Sequence, residues 1–162
     1  MALKDNALTA TEITSAGGTL GYTYSDTNQT GGMSYHASSS AYGTSAVKSV
    51  VDSWASNKFT DELKTVDGYA ERLIQYDEIP IERKEICTGS CFEADVIAYD
   101  WMYNSGYSYW TMTPWQDGDQ PSSSIVWYVR SGGRLNDSYV YNGNGAVRPV
   151  INVYKDKISQ AI

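Results

Sequence analysis

Apolar residues in the first half of the chain follow a helical period in one place. The apolar stripe falls at positions i, i+3, i+4 and i+7, the spacing of one helix face, and consists of Val47, Val50, Val51 and Trp54. Thr44 or Ser45 stands before the stripe and can cap the helix N-terminus. The pattern therefore predicts an α-helix that begins near residue 45.

The other elements of the first half are shorter. Leu20–Tyr24 is predicted to form a strand, and a short helical piece is predicted near Asp77, where acidic residues would stand in its first turn. A third helix is predicted over Glu93–Met102. Residues 1–18 are small and polar, end in two glycines, and are interpreted as an N-terminal tail or connection.

The pattern changes to short β-type runs after Tyr107. These runs are rich in β-branched and aromatic residues and are separated by Gly, Asn, Asp, Ser and Pro: Tyr109–Thr113, Ile125–Val129, Tyr139–Tyr141 and Val147–Tyr154. Helices followed by strands predict an α+β fold with two or three short helices on small antiparallel sheets. Residues 19–162 are predicted to form the single domain.

Alternation within the strands predicts which side chains face outward. Leu135 and Val140 are expected to anchor their segment inward. Tyr128 and Arg130 are expected to point outward beside it. The remaining outward positions are Asn136, Asp137, Tyr139, Tyr141 and Asn142.

The aromatic composition adds a second observation. The chain has 162 residues, 41% of them hydrophobic, with fourteen Tyr and five Trp against two Phe. The length fits one domain with one core. Tyr and Trp combine a flat apolar body with a polar tip, which suits recognition surfaces. These residues also favour strands, so the surplus has a structural explanation as well.

Charge and the length of the apolar runs exclude two classes of partner. The formal net charge is −7 and the sequence pI is about 4.6. No cluster of Lys and Arg is present to meet a phosphate backbone, so nucleic acid is not expected as a partner. No apolar run reaches the roughly 18–20 residues of a membrane span, so membrane insertion is not expected either.

Residues with catalytic or metal chemistry are few. Cys87 and Cys91 are the only cysteines, and with one histidine they do not supply four zinc ligands. His36 stands alone in a loop of polar residues and is interpreted as a surface residue. Asp117 and Asp119 are first of all turn residues, with a shared calcium ion as the alternative. The sequence therefore predicts no cofactor apart from that calcium alternative.

Four stretches resemble a bacterial and phage family with the C-type-lectin-like fold, which is shared with formylglycine-generating enzymes. The stretches are Ala70–Ile79, Phe92–Tyr99, Tyr109–Pro114 and Gly145–Val153. The last two are the more specific. The resemblance covers about residues 20–155 and implies a C-type-lectin-like fold for this chain.

In that family, the stretch between the last two motifs often holds the variable region of a diversity-generating retroelement, which mutates adenines. Here Leu135–Gly145 is dominated by Asn, Asp, Ser, Tyr and Gly, the residues that substituted Asn codons produce. Trp110, Trp115 and Trp127 do not arise in this way and would be fixed framework. Ordinary turn composition is the alternative explanation of the segment.

The resemblance does not carry the enzymatic activity with it. A formylglycine-generating enzyme needs a cysteine pair in its late, strand-rich half, and both cysteines here precede Tyr107. The chain is therefore expected not to be an enzyme. The expected function is ligand recognition by a variable receptor-binding or adhesion protein. A structural subunit of a tail or pilus assembly and, less favoured, a formylglycine-generating-type enzyme are the alternatives.

The ligand-binding surface is predicted within about residues 107–146. Its predicted residues are Trp115, Gln116, Asp117, Asp119, Ser122, Ser123, Tyr128, Arg130, Asn136, Asp137, Tyr139, Tyr141, Asn142 and Asn144. The expected partners are a cell-surface protein or glycan, and a larger tail or surface assembly in which the chain can form a homo-oligomer. The expected location is the virion, on a phage tail, or the extracellular cell surface.

Overall fold

A computed structural model of the chain describes residues 2–3, 7–23, 31–79, 81–83, 94–96, 107–117, 120–131, 134–143 and 145–158. Two α-helices are found there, α1 (Ala10–Ser15) and α2 (Ala46–Lys58). Three 3-10 helices lie at Tyr42–Thr44, Tyr76–Glu78 and Lys155–Lys157. The strands are β1 (Ala2–Leu3), β2 (Tyr22–Thr23), β3 (Gly31–Met33), β4 (Glu71–Arg72), β5 (Ile81–Arg83), β6 (Ala94–Val96), β7 (Tyr109–Asp117), β8 (Gln120–Val129), β9 (Arg134–Tyr139), β10 (Gly145–Ala146) and β11 (Val150–Ile151).

The α+β class and the strand-rich C-terminal half are confirmed. One sheet has three strands in the order β1-β11-β4, and the other has eight in the order β2-β3-β10-β7-β8-β9-β6-β5. The prediction of purely antiparallel sheets is wrong at one pair. β10 runs parallel to β7, with Ala146 opposite Tyr109, so the larger sheet is mixed.

Helix α2 forms as its apolar stripe predicts. The Ser45 hydroxyl accepts a hydrogen bond from the Lys48 backbone N–H at 3.0 Å, which caps the N-terminus. The helix ends at Lys58, and Phe59 is extended. Its buried residues are Val47, Val50, Val51, Trp54 and Ala55.

Helix α1 lies in the segment whose composition is tail-like. Thr9 and Glu12 form a capping box, in which each side chain accepts a hydrogen bond from the backbone N–H of the other residue. Leu8 and Ile13 are fully buried in the core with α2. These two large apolar side chains therefore attach the segment to the core.

The helix predicted over Glu93–Met102 is wrong in its described part, because Ala94–Val96 is strand β6 and pairs with β9. The helical piece near Asp77 is confirmed as a single 3-10 turn. The predicted strand at Leu20 is reduced to β2 in its described part. The run predicted at Tyr139–Tyr141 corresponds to β9, which spans Arg134–Tyr139 and therefore begins and ends earlier than predicted. Cys87 and Cys91 lie outside the described residues.

The core is divided by the meander of β7, β8 and β9. On one side, Trp110, Val126 and Tyr128 pack with the buried stripe of α2. On the other side, Trp127 and Val129 belong to a second cluster with Ile74, Ile79 and Leu135 among others. Residues 125–129 are apolar without a break because both faces of this strand are covered. For the same reason Val126 and Val129 are both buried although they lie on opposite faces of β8.

Candidate functional site

The predicted surface is built on the β7–β9 meander. β8 and β9 pair in regular antiparallel register from Ile125 opposite Tyr139 to Val129 opposite Leu135. β7 and β8 pair with two irregularities, between Trp110 and Pro114 and between Pro114 and Gln116. We call the side that carries Trp127 and Val129 the Trp127 face, and the opposite side the Tyr128 face.

The inward anchors are confirmed. Leu135 is 1% exposed and Val140 is 0% exposed, and they pack into the two separate core clusters. The Val140 N–H donates to the Ser124 carbonyl at 3.0 Å, and its own carbonyl accepts from the His36 N–H at 3.0 Å. The segment between the anchors is therefore held at both ends by burial and at its C-terminal end by backbone hydrogen bonds.

Two tyrosines project at the C-terminal end of this segment, one on each side of Val140. Tyr139 is 48% exposed and Tyr141 is 55% exposed, which confirms their outward orientation. Their rings are stacked, with centroids 5.2 Å apart and planes 16° apart. This stacked geometry is a favourable arrangement for an aromatic pair, and it leaves both rings about half exposed. The pair is an exposed aromatic surface on a rigid backbone.

A second aromatic group is centred on Trp127, which lies on the same face of the meander as Tyr139. The Trp127 ring lies 5.0 Å from the Tyr76 ring and 6.4 Å from the Trp115 ring, measured between centroids. Trp127 itself is buried, while Tyr76 and Trp115 are half-buried. We call Tyr76, Trp115, Trp127, Asp137, Tyr139 and Tyr141 together the aromatic strip.

Asp137 is the one carboxylate of the aromatic strip. It stands directly opposite Trp127 in the β8–β9 register and is half-buried. Burial raises its pKa, against the lowering effects of its own backbone N–H and of the Arg130 charge. Asn136 stands on the Tyr128 face, and its Oδ1 accepts from the Asp137 N–H at 2.8 Å. Both side chains are partly accessible beside the tyrosines.

Tyr128 does not point outward as expected. It is only 6% exposed and packs against Trp110, with ring centroids 5.9 Å apart. Arg130 is exposed, and its Nε donates to the Tyr128 hydroxyl at 3.2 Å. The expectation fails because β8 is covered on both faces, so no position in its central run is an outward one.

The remaining predicted residues are spread along the strand ends. Ser123 and Gln116 are exposed, and Ser122 is half-buried. Half-buried Asn142 donates from Nδ2 to the Ser138 hydroxyl at 3.1 Å. Of Asp117 the structure describes only the backbone, at the end of β7, and Asp119 and Asn144 lie outside the described residues.

Two further features concern the described residues, namely metal-binding groups and membrane-spanning helices. These contain no group of three or more His, Cys, Asp and Glu side chains arranged to hold a metal ion. The calcium alternative at Asp117 and Asp119 stays a prediction, because neither side chain is described. In the same part of the chain, no helix combines the length and apolar character needed to cross a membrane.

Sequence reasoning missed the segment that supports the strip. Ser40 donates from its N–H to the Ser123 carbonyl at 2.8 Å and from its hydroxyl to the Ser122 carbonyl at 2.5 Å. The Ser34 hydroxyl donates to the Tyr141 carbonyl at 2.8 Å. His36 Nδ1 accepts from the N–H groups of Ser38 and Ser39, which assigns this histidine to a loop-stabilising role. Polar loop composition alone gave no signal for these long-range contacts.

Tyr76 was also missed as a neighbour of the surface. Its N–H donates to the Thr113 hydroxyl of β7 at 2.9 Å, which places the 3-10 helix against the meander.

Comparisons of the chain with protein-family models, curated proteins and solved structures gave no match. The aromatic strip and its polar neighbours are therefore the observations from which function is inferred.

Proposed function

We propose that this protein is a non-enzymatic ligand-recognition domain that binds through the aromatic strip and the polar residues beside it. The observation that carries the proposal is the stacked, half-exposed pair Tyr139 and Tyr141 at the C-terminal end of β9, on either side of the buried anchor Val140. Tyrosine provides a large contact area with few rotatable bonds, and neighbouring Asn, Ser and Asp provide adaptable hydrogen bonds. Such a combination suits recognition.

The proposal extends to the kind of protein. The four resembling stretches support a C-type-lectin-like fold, and the composition of Leu135–Gly145 supports a variable receptor-binding or adhesion protein of the diversity-generating-retroelement type. Its place would be a phage tail or a cell surface, and its ligand a surface protein or glycan. The rigid anchors and exposed tyrosines fit a surface whose contact residues change while its framework stays fixed.

Binding to intact cells tests the recognition role. The labelled full chain is measured by flow cytometry against a panel of bacterial strains, beside the double variant Tyr139→Ser/Tyr141→Ser. We expect binding to at least one strain and a loss of about tenfold or more in the variant, because central interface tyrosines are common hot spots. Tyr154→Ser is the matched control, since Tyr154 is 47% exposed and lies outside the meander.

Two outcomes contradict the proposal. One is the absence of binding to every strain, and the other is equal loss in the double variant and in Tyr154→Ser. Sedimentation of the same samples separates recognition from subunit assembly. If the double variant changes the oligomeric state instead of cell binding, the strip is an assembly interface.

The DNA around the gene tests the variable character. We expect a near-identical repeat of the segment that encodes Tyr109–Val150, beside a reverse transcriptase gene, differing from it at adenines. If neither is present, a fixed adhesive or structural role replaces the variable one.

A further inference from the structure

The aromatic strip pairs exposed aromatic rings with one partly buried negative charge. By the period of a strand, Asp137 and Tyr139 lie on the same face of β9, about 7 Å apart along it. Tyr141 stacks on Tyr139 at 5.2 Å, and Trp127 stands opposite Asp137 with Trp115 and Tyr76 at its sides. The carboxylate is therefore bordered by aromatic rings.

Among the described residues, no Lys or Arg forms an ion pair with Asp137. Arg130, the cation whose charge acts on it, follows β8 on the Tyr128 face, where its Nε donates to the Tyr128 hydroxyl. Other Lys and Arg side chains of the described part contact groups outside the strip, such as Asp52, Trp54, Tyr154 and Glu78. The described part of the strip thus presents a negative charge without a paired cation.

This combination has a defined chemical preference. A cation over an aromatic face is attracted by the ring quadrupole, and a partly desolvated carboxylate attracts it further. A neutral sugar can donate hydroxyl hydrogen bonds to the carboxylate, but it gains no charge–charge attraction from it, whereas a Lys or Arg side chain gains both. The overall charge of −7 acts in the same direction, because it raises the encounter rate with a basic partner.

We propose that the partner of the aromatic strip is a basic polypeptide segment, whose Lys or Arg side chain lies against Tyr139 and pairs with Asp137. This inference rests on the proposed recognition function and names its ligand class. The strip contains exposed Tyr139 and Tyr141 and half-buried Tyr76, Trp115 and Asp137, which suits a chain segment that makes several contacts. A neutral glycan is the competing ligand that the experiment distinguishes.

The test uses a labelled octalysine peptide, blocked at both ends, and fluorescence anisotropy with the full chain. We expect saturable binding that weakens about fivefold or more in Asp137→Asn, which keeps the side-chain shape and removes the charge. Tyr139→Leu should weaken binding about twofold to fivefold, because the apolar area remains and the ring quadrupole is lost. A blocked Gly-Ser octapeptide should not bind.

Asp156→Asn is the matched control, because Asp156 is exposed on the C-terminal 3-10 helix and its substitution removes the same unit of charge. We expect a change of less than about twofold. Equal weakening in Asp137→Asn and Asp156→Asn overturns the inference, since net charge alone would then explain binding. Absence of octalysine binding overturns it as well.

A neutral-glycan array with the same variants distinguishes the two failures. If the chain binds a glycan in a way that depends on Tyr139 and Tyr141 but not on Asp137, the basic-partner inference is wrong and the recognition function stands. If octalysine, glycans and cells all bind without dependence on the two tyrosines, or do not bind, both proposals fail.

Discussion

The Tyr128 face and the Trp127 face of the same meander differ in how far they are covered. On the Tyr128 face, α2 and the aromatic residues around Trp110 cover the strands, and Trp110, Val126 and Val140 are fully buried. On the Trp127 face, Ile74 and Ile79 belong to the same buried cluster as Trp127 and Leu135, and exposure along β9 rises from Leu135 to Tyr139. The Tyr128 face is core except at the end that carries half-buried Asn136 and exposed Arg130, and the Trp127 face changes from core to surface along β9.

The difference shows how a rigid surface can display exposed aromatic rings. The strand is fixed by the covered face and by the covered end of the other face, so the uncovered end needs no packing of its own. Tyr139 and Tyr141 can therefore be exchanged for other residues at little cost in stability. Substitutions that separate the two faces test this comparison directly.

The largest effect is expected from removing Trp110. Its side chain is fully buried, and Nε1 donates to the Met33 carbonyl at 2.9 Å. Trp110→Ala should lower the free energy of unfolding by about 3–5 kcal/mol, because it leaves a large cavity and an unpaired carbonyl. Urea unfolding followed by far-UV circular dichroism measures the change. A loss under about 1 kcal/mol would mean that the Tyr128 face is not the core we describe.

The next effect is expected from overpacking the same ring. A Cβ added at Gly145 would lie inside van der Waals contact of the Trp110 indole ring. Gly145→Ala should cost about 1–3 kcal/mol of stability, because the indole ring and backbone must shift. Gly43→Ala is the control, since nothing lies within 4 Å of an added Cβ there. The idea fails if both variants unfold at the same urea concentration.

A smaller effect is expected at the ion pair between β4 and the 3-10 helix Tyr76–Glu78, which packs on the Trp127 face. Arg72 donates from Nη1 and Nη2 to the two carboxylate oxygens of Glu78, at 2.6 Å each. Glu78→Gln should therefore cost about 1–2 kcal/mol at neutral pH. Asp77→Asn, the neighbouring exposed carboxylate, should change stability by less than about 0.5 kcal/mol.

The same pair predicts a dependence on pH. Desolvation raises the pKa of Glu78, but the hydrogen bonds from Arg72 and from the Gln75 N–H, with the Arg72 charge, lower it overall below its ordinary value of 4.5. A group with a lowered folded-state pKa stabilises the fold above its unfolded-state pKa and loses that contribution as pH falls through the folded-state value. The difference between wild type and Glu78→Gln should therefore shrink below about pH 4.5. A constant difference from pH 7 to pH 3 contradicts this.

The smallest effect is expected at the exposed end of the Trp127 face. Tyr139→Ser and Tyr141→Ser should each change the free energy of unfolding by about 0.5 kcal/mol or less, because each ring is about half exposed. Thermal and urea unfolding check this. A loss above about 2 kcal/mol in either variant would mean that the pair is a structural element and not a displayed surface.

The local patterns predicted several features of this surface well. The spacing of Val47 to Trp54 determines α2, and the apolar type of Leu135 and Val140 among polar neighbours indicates which residues anchor the segment. The helix follows from a period of 3.6 residues and the anchors from residue type, and both are local information. The short helix α1 has an equally local signal, the Thr9 and Glu12 capping box, although composition suggested a tail.

Other features depend on contacts that local patterns do not contain. The parallel pairing of β10 with β7, the strand at Ala94–Val96 and the packing of Tyr76 on Trp127 all join residues far apart in the chain. The burial of Tyr128 belongs to the same group, since alternation assigns a residue to a face but not the cover of that face. The Ser34 and Ser40 hydrogen bonds to the meander are a further case.

The sequence by itself determined the α+β class, the helix α2 and the inward anchors of this protein, because each depends on residue type and local pattern. Only the tertiary structure decided which face of the meander is closed, and which end of the other face is open. It did so because cover comes from α2 and from the segment 74–79, whose positions are set by packing between distant parts of the chain. The proposed recognition surface lies where that cover ends.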